Sequence, residues 1–280
     1  MAEKLVAAIT FLVPIALPLI TFSIGVETGG PQFRKLFASP GLVVRYFLAT
    51  FVIMPALPII LGMLEKLSQP MWVGLALMSI APPAPPSTGR LRKAGDFDIG
   101  LAWQSAAFLI SIVTVPLTVY LIASLLGSDL NLGFGPLLQR SILFFGAPLV
   151  AGLLVRRFWP AVADAIAKPV FTTANVAMLL VVVLALVVAI PVIWHFGFVP
   201  TLTVVAFVAV AVIVAHLFGG PARATRITLG TMLAARFPVP ALMLAQQNHA
   251  VKQILPVVLV YILAGLVLMT IYSRLTAPRT

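Results

Sequence analysis

Pro82, Pro83, Pro85 and Pro86 put four prolines into five positions, with Ser87 and Thr88 directly after them. Proline has no amide hydrogen and its ring collides with the preceding turn, so a continuous helix is excluded there. The stretch lies inside a long apolar segment, MWVGLALMSIAPPAPPSTGRLRKAGD. Unwound backbone at membrane depth is tolerated only where it is buried in protein or lines a wet cavity. The break is therefore a candidate ligand site. Ser87 and Thr88 would cap a second half-helix whose first amides carry partial positive charge.

A second break is expected at Pro238 and Pro240, with Arg236 just before them and no acidic residue in the same stretch. A guanidinium at mid-membrane costs at least ~2.5–3.5 kcal/mol, so something must compensate it. Two roles are open: binding carbonyls exposed by the first break, or holding an anionic substrate through its planar fork of donors. The acidic residues are Glu3, Glu27, Glu65, Asp96, Asp98, Asp129 and Asp164, all placed in loops or at helix ends. Carboxylate-pair catalysis, two-carboxylate metal sites and an acidic proton relay have no residues to stand on. Gln104, Thr50 and Asn175 are polar at depth and read as interhelical hydrogen bonds or ligand contacts. His216 reads as a histidine bonded to neighbouring backbone, or as a proton carrier. Arg140, near a span end, would snorkel, and Gln246 to His249 would mark the outer end of the eighth span.

The elements that position these residues are membrane helices. Apolar residues make up 61% of the 280 positions and charged ones 9%, against roughly a quarter charged in soluble domains, so a soluble fold is excluded. Without cysteine there is no disulfide framework or thiolate metal site. The first apolar stretch, from Leu5 to Val26, is too long for a signal-peptide core and reads as a retained span. Segments able to cross about 30 Å of hydrocarbon fall near 4–26, 41–64, 70–94, 97–126, 134–155, 168–193, 198–219, 223–247 and 251–273. The expected fold is an all-α integral membrane protein of about nine transmembrane helices, a single domain over 1–280. The third and eighth spans are broken.

The net charge of +11 does not point to nucleic acid, because the basic residues sit in short loops between apolar segments. Thirteen of them (Arg34, Lys35, Arg45, Arg90, Arg92, Lys93, Arg156, Arg157, Lys168, Arg223, Arg226, Arg274, Arg279) fall on one side, against Lys4, Lys66 and Lys252 on the other. The positive-inside rule makes the first side cytoplasmic, the N-terminus external and the C-terminus internal. Trp72, Trp159 and Trp194 lie near span ends, as interfacial anchors do. Each broken span is followed by a short turn and a long apolar helix, with Pro83-Ala84-Pro85 aligned on Pro238-Val239-Pro240. Interrupted spans in corresponding positions point to an inverted-repeat transporter with its site near the midplane.

From Phe22 onward the chain resembles the bile acid:sodium symporter family. TFSIGVETGGPQFRKLFASP carries a Phe-x-x-Gly span end, then Phe33, Leu36-Phe37 and Pro40. TFVIMP, Thr50 to Pro55, is similar to the family's Phe-x-Ile-Met-Pro segment. APPAPPST stands where the family has Pro-Gly-Gly-Thr-Ala-Ser-Asn, with Gly95 in the matching turn, and the eighth span is similar to the second crossover helix. The resemblance implies a panel domain and a core domain, with the crossing helices in the core. It also implies alternating access and organic-anion substrates such as bile acids, pantoate or 2-oxo acids. It places the chain in a bacterial inner membrane, beginning at the second helix of ten-span members.

In the family, sodium is held by Glu-x-Gly-x-Gln-Asn in the second crossover, Ser-Asn in the first and a Gln before Phe-x-Ile-Met-Pro. The corresponding positions here are Met232, Arg236 and Phe237, then Ser87 and Thr88, then Thr50. Only the serine persists. Sodium needs several oxygen ligands and is repelled by a fixed guanidinium. The expectation is thus a carrier with no cofactor, in which Arg236 replaces the sodium charge and Ser87, Thr88, Gln104, Thr50 and Phe237 line the site. The alternatives are a sodium-coupled symporter with altered ligands, or a channel or sensor that keeps the fold. Neither a Ser/His/Asp set nor a metal-ligand cluster lies within the spans, so an enzyme is not expected.

Overall fold

The structure, a computed structural model, describes residues 2–64, 67–84, 91–92, 95–125, 134–237 and 251–276. In chain order the helices are α1 (Ala2–Glu27), α2 (Gly30–Phe37), α3 (Pro40–Met63), α4 (Gln69–Ile80), α5 (Phe97–Leu125), α6 (Phe134–Phe158), α7 (Pro160–Phe196), α8 (Phe198–Phe218), α9 (Arg223–Ala234) and α10 (Val251–Leu275). Among the described residues, six helices are long and apolar enough to cross a membrane: α3, α5, α6, α7, α8 and α10. Pro14–Glu27 and α4 are shorter apolar helices. The protein is an all-α integral membrane protein. Outside the third and eighth spans, of which residues 85–90, 93–94 and 238–250 lie outside the described residues, its helices follow the expected segments to within a few residues, with two exceptions.

Helix α7 starts at Pro160 instead of near residue 168. A proline at the first helical position costs no hydrogen bond, which allows the helix to begin there. Asp164 lies inside that helix and pairs with Arg156. The connection after α1, expected as a loop, forms α2, which buries Leu36. Its Lys35 reaches Asp96 at 2.8 Å and Asp98 at 3.4 Å, and the hydrogen bond to the Asp96 carboxylate raises the lysine pKa above its ordinary value.

Two π-helical turns, Leu48–Ile53 in α3 and Ile142–Gly146 in α6, also escape sequence reading. Each ends just before a proline, Pro55 or Pro148. A proline ring collides with the carbonyl four residues back, and the wider turn moves that carbonyl aside. Thr50 sits in the first of these turns, buried.

The chain forms two compact units, Met1–Arg34 with Leu101–Val192, and Lys35–Gly100 with Ile193–Thr280. In unit 1, α1 and α6 meet backbone to backbone at Gly25 and Gly152. A Cβ on Gly25 would collide with the Leu149 carbonyl and one on Gly152 with the Phe22 carbonyl. Thr28 and Ser105 share a buried hydrogen bond at 2.7 Å, and Arg156 Nε caps the end of α1 through the Val26 carbonyl.

Unit 2 holds α3, α4, α8, α9 and α10. Helix α4 folds back on α3, with the Trp72 ring against Gly62. Trp72 is therefore buried in that hairpin and not a lipid-facing anchor, whereas Trp159 is exposed as expected. The start of α9 hangs on its neighbours through Tyr46 Oη to the Thr225 carbonyl at 2.6 Å and the Asp96 amide to Thr228 Oγ1 at 2.9 Å.

Candidate functional site

Helices α4 and α9 each contain 12 residues, about 18 Å at 1.5 Å per residue, or just over half of a ~30 Å hydrocarbon layer. Both stop where a carbonyl loses its donor. In a continuous helix the carbonyls of Met78, Ser79, Ala81 and Pro82 would accept from residues 82, 83, 85 and 86, all prolines. The second break supplies partners for two of them. Arg236 Nη1 donates to the Ala81 carbonyl at 2.9 Å and the Phe237 amide to the Pro82 carbonyl at 2.8 Å.

The favour is returned by Ala84, the one residue between the proline pairs that keeps an N–H, which donates to the Ala235 carbonyl at 2.7 Å. Pro83 and Arg236 thus pair as an isolated antiparallel bridge. Pro83 occupies the non-hydrogen-bonded position of that pair, where no donor is required. The two breaks meet antiparallel and satisfy each other's backbone.

Two further carbonyls of the second break lose their helical donors. Leu233 would accept from Phe237 in a helix; since that amide has turned to Pro82, Tyr261 Oη donates to Leu233 instead, at 2.8 Å. The Ala234 carbonyl, whose helical donor would be Pro238, lies against Gly265 of α10, where a Cβ would collide with it. Tyr261→Phe removes the hydroxyl and leaves a buried carbonyl unsatisfied, a loss of about 1–3 kcal/mol. The thermal midpoint of that variant in detergent is expected to fall. An unchanged midpoint would show that Leu233 has another donor.

Arg236 is 2% exposed. Beyond its contact with Ala81, the Tyr261 hydroxyl faces its guanidinium, while Nε and Nη2 have no hydrogen-bond partner among the described residues. Nε and Nη2 form one edge of the guanidinium plane, the edge that pairs side-on with a carboxylate. The carboxylates in the sequence of unit 2 are Glu65, Asp96 and Asp98. Asp96 and Asp98 lie at the start of α5, bound to Lys35.

Of the expected site residues, Arg236, Phe237, Thr50, Pro82 and Pro83 all fall in unit 2. Phe237 and Thr50 are buried, and Thr50 Oγ1 has no hydrogen-bond partner among the described residues, so the interhelical bond expected of it is not found there. Met232 is buried in the last turns of α9. Gln104 is buried in unit 1. Ser87, Thr88, Pro85, Pro86, Pro238 and Pro240 lie outside the described residues, as do Gln246 to His249.

Two polar expectations are corrected. Asn175 Nδ2 donates to the Phe171 carbonyl of its own helix at 2.8 Å, because four residues back is the nearest acceptor on a helix surface. His216 pairs through Nδ1 with the Tyr272 hydroxyl at 3.0 Å, not with backbone, and it is exposed. Sequence reading missed Ala81, Ala84, Tyr261 and Gly265. Ala84 was findable, as the single amide among four prolines; Tyr261 and Gly265 carry no local signal.

The described positions do not fit sodium. Met232 and Phe237 carry no side-chain oxygen, Thr50 offers one, and Arg236 brings a positive charge.

A model of the sodium bile acid symporter family matches residues 14–196, more than half of the chain and including the first break. No match is found among curated proteins. The chain, an α-helical membrane protein with a broken fourth helix inside the matched residues, belongs to the sodium bile acid symporter family, a family of membrane transporters.

Proposed function

We propose that this protein is a secondary transporter that carries a small organic anion by alternating access, without sodium, and that Arg236 holds the charge of the anion. One observation carries the reading: a fully buried guanidinium at the meeting of two broken helices, with a bidentate edge that no described residue occupies. A buried cation of this kind needs an anionic partner. The substrate class is that of bile acids, pantoate or 2-oxo acids, each of which presents an anionic group to a guanidinium fork. The distribution of lysine and arginine supports an external N-terminus and a cytoplasmic C-terminus in a bacterial inner membrane.

Uptake of a labelled organic anion by the purified protein in liposomes is expected to continue at an unchanged rate when choline replaces sodium. Strong sodium dependence would sink the sodium-free form of the proposal. It would favour the second reading, a sodium symporter with altered ligands, which is supported by the buried Thr50 oxygen, left without a hydrogen-bond partner among the described residues. Flux that does not saturate with substrate concentration would mean a channel.

A further inference from the structure

A mobile coupling cation and a fixed one have different consequences for the return step of a carrier. A cation that arrives with the substrate leaves with it, and the site then crosses back without net charge. A guanidinium is part of the chain and stays protonated at every physiological pH. We infer, resting on the carrier reading above, that this protein is an anion exchanger: the Arg236 site recrosses the membrane only with an anion bound, so each anion taken up releases one from the other side.

The argument turns on what the chain itself offers Arg236. The acceptors on its described neighbours are the Ala81 carbonyl and the Tyr261 hydroxyl, both uncharged. Asp96 and Asp98 are held by Lys35 at the start of α5, and Glu65 lies outside the described residues. Within unit 2, no described carboxylate is free to take the place of a departing substrate. The break is also tied down on both sides of Arg236, through Ala235 to Ala84 and Phe237 to Pro82, and Tyr261 and Gly265 of α10 close over the turn before it. That leaves the guanidinium no stem-length excursion to water of the kind open to an arginine near a helix end.

With an anion bound, the pair is net neutral and crosses without an uncompensated charge. Alone, the guanidinium carries the full desolvation penalty through the occluded state. The return of the unloaded site should therefore be about 100-fold slower than that of the loaded site (about 2.7 kcal/mol at 1.36 kcal/mol per decade). Exchange of monovalent anions moves no net charge, so it should also be indifferent to membrane potential.

The test uses the full chain in sodium-free liposomes with choline as the cation, part of it replaced by potassium where a potential is imposed. Radiolabelled pantoate, taurocholate and pyruvate are each supplied outside. The interior holds either the same unlabelled anion or choline dextran sulfate, a polyanion too large to enter a site. Steady uptake is expected to be at least tenfold faster into anion-loaded liposomes for whichever probe is carried, and unchanged by an imposed potassium–valinomycin potential. Uptake within twofold in the two loadings would overturn exchange while leaving the anion-carrier reading standing. Failure of all three probes under both loadings would overturn both. Arg236→Gln is expected to bring the ratio of loaded to empty uptake close to one. Because the wild-type ratio is measured first, a poorly folding variant does not decide the matter. A folded variant that keeps the wild-type ratio would count against the inference.

Discussion

Arg236→Gln is expected to lower the transport efficiency of the protein by about 100-fold while leaving its thermal midpoint unchanged or raised. The two halves of that expectation come from different terms. A charge-assisted hydrogen bond to a buried anion is worth about 1.5–3 kcal/mol, and the bidentate edge of Nε and Nη2 supplies two of them. Glutamine removes both and the charge with them. For stability the sign is opposite: taking a buried cation with no described carboxylate beside it out of the core relieves desolvation, offset by the loss of one bond to the Ala81 carbonyl. Arg236→Lys keeps the charge as a point donor and should recover part of the activity, to within about tenfold of wild type. The measurement is initial uptake in liposomes beside a melting curve in detergent. A variant that melts several degrees lower yet transports at the wild-type rate would reduce Arg236 to a clamp on the first break.

The second large effect is expected in unit 1. Gly25→Val should cost about 3 kcal/mol or more and lower the thermal midpoint by roughly 6–10 °C, as should Gly152→Val. Around the Cβ position of Gly25 stand the Leu149 carbonyl and the Leu153 amide nitrogen, the latter at 2.9 Å, and around that of Gly152 the Phe22 carbonyl and the Val26 amide nitrogen at 2.8 Å. All four are backbone atoms of the facing helix, which cannot rotate away as a side chain can. Relief requires α1 and α6 to separate, with loss of the contacts along their length. Gly41 is the internal control: nothing lies within 4 Å of its Cβ position, so Gly41→Ala should be neutral or slightly stabilising. Equal melting of Gly25→Val and wild type would mean that the two helices do not approach this closely.

The positions of the helices were readable because apolar runs of membrane length are a one-dimensional signal, and the prolines marked where α4 must stop. Arg236 stood out for a similar reason, as a charge that composition does not explain. Other features depended on distance in space. Ala81 and Arg236 are 155 residues apart, and nothing local indicates that one carbonyl freed by Pro85 is the one a distant guanidinium will take. Tyr261 reads as one more aromatic residue of an apolar helix until the Leu233 carbonyl is seen to need a donor. The π-turns before Pro55 and Pro148 lay within reach of the sequence, since the clash that causes them is local. They were missed because a single proline in a membrane helix is more often absorbed as a kink. Charged residues such as Asp164 and Lys168 look like loop in an apolar sequence and hide the true start of α7, although a carboxylate that pairs with Arg156 is at home on a helix surface.

The antiparallel pairing of the two breaks also imposes an order in time. Ribosomal synthesis at roughly 5–20 residues per second separates Ala81 from Arg236 by roughly 8–30 s. During that interval the carbonyls of Ala81 and Pro82 and the amide of Ala84 exist without the partners they later acquire. Every residue of unit 1 is made before those partners, whereas unit 2 cannot close until its second segment, Ile193–Thr280, arrives. The newborn chain must therefore shelter its first break at the insertion machinery. A slow stretch of translation between α5 and α9 would lengthen the period in which the half-made protein is open to degradation.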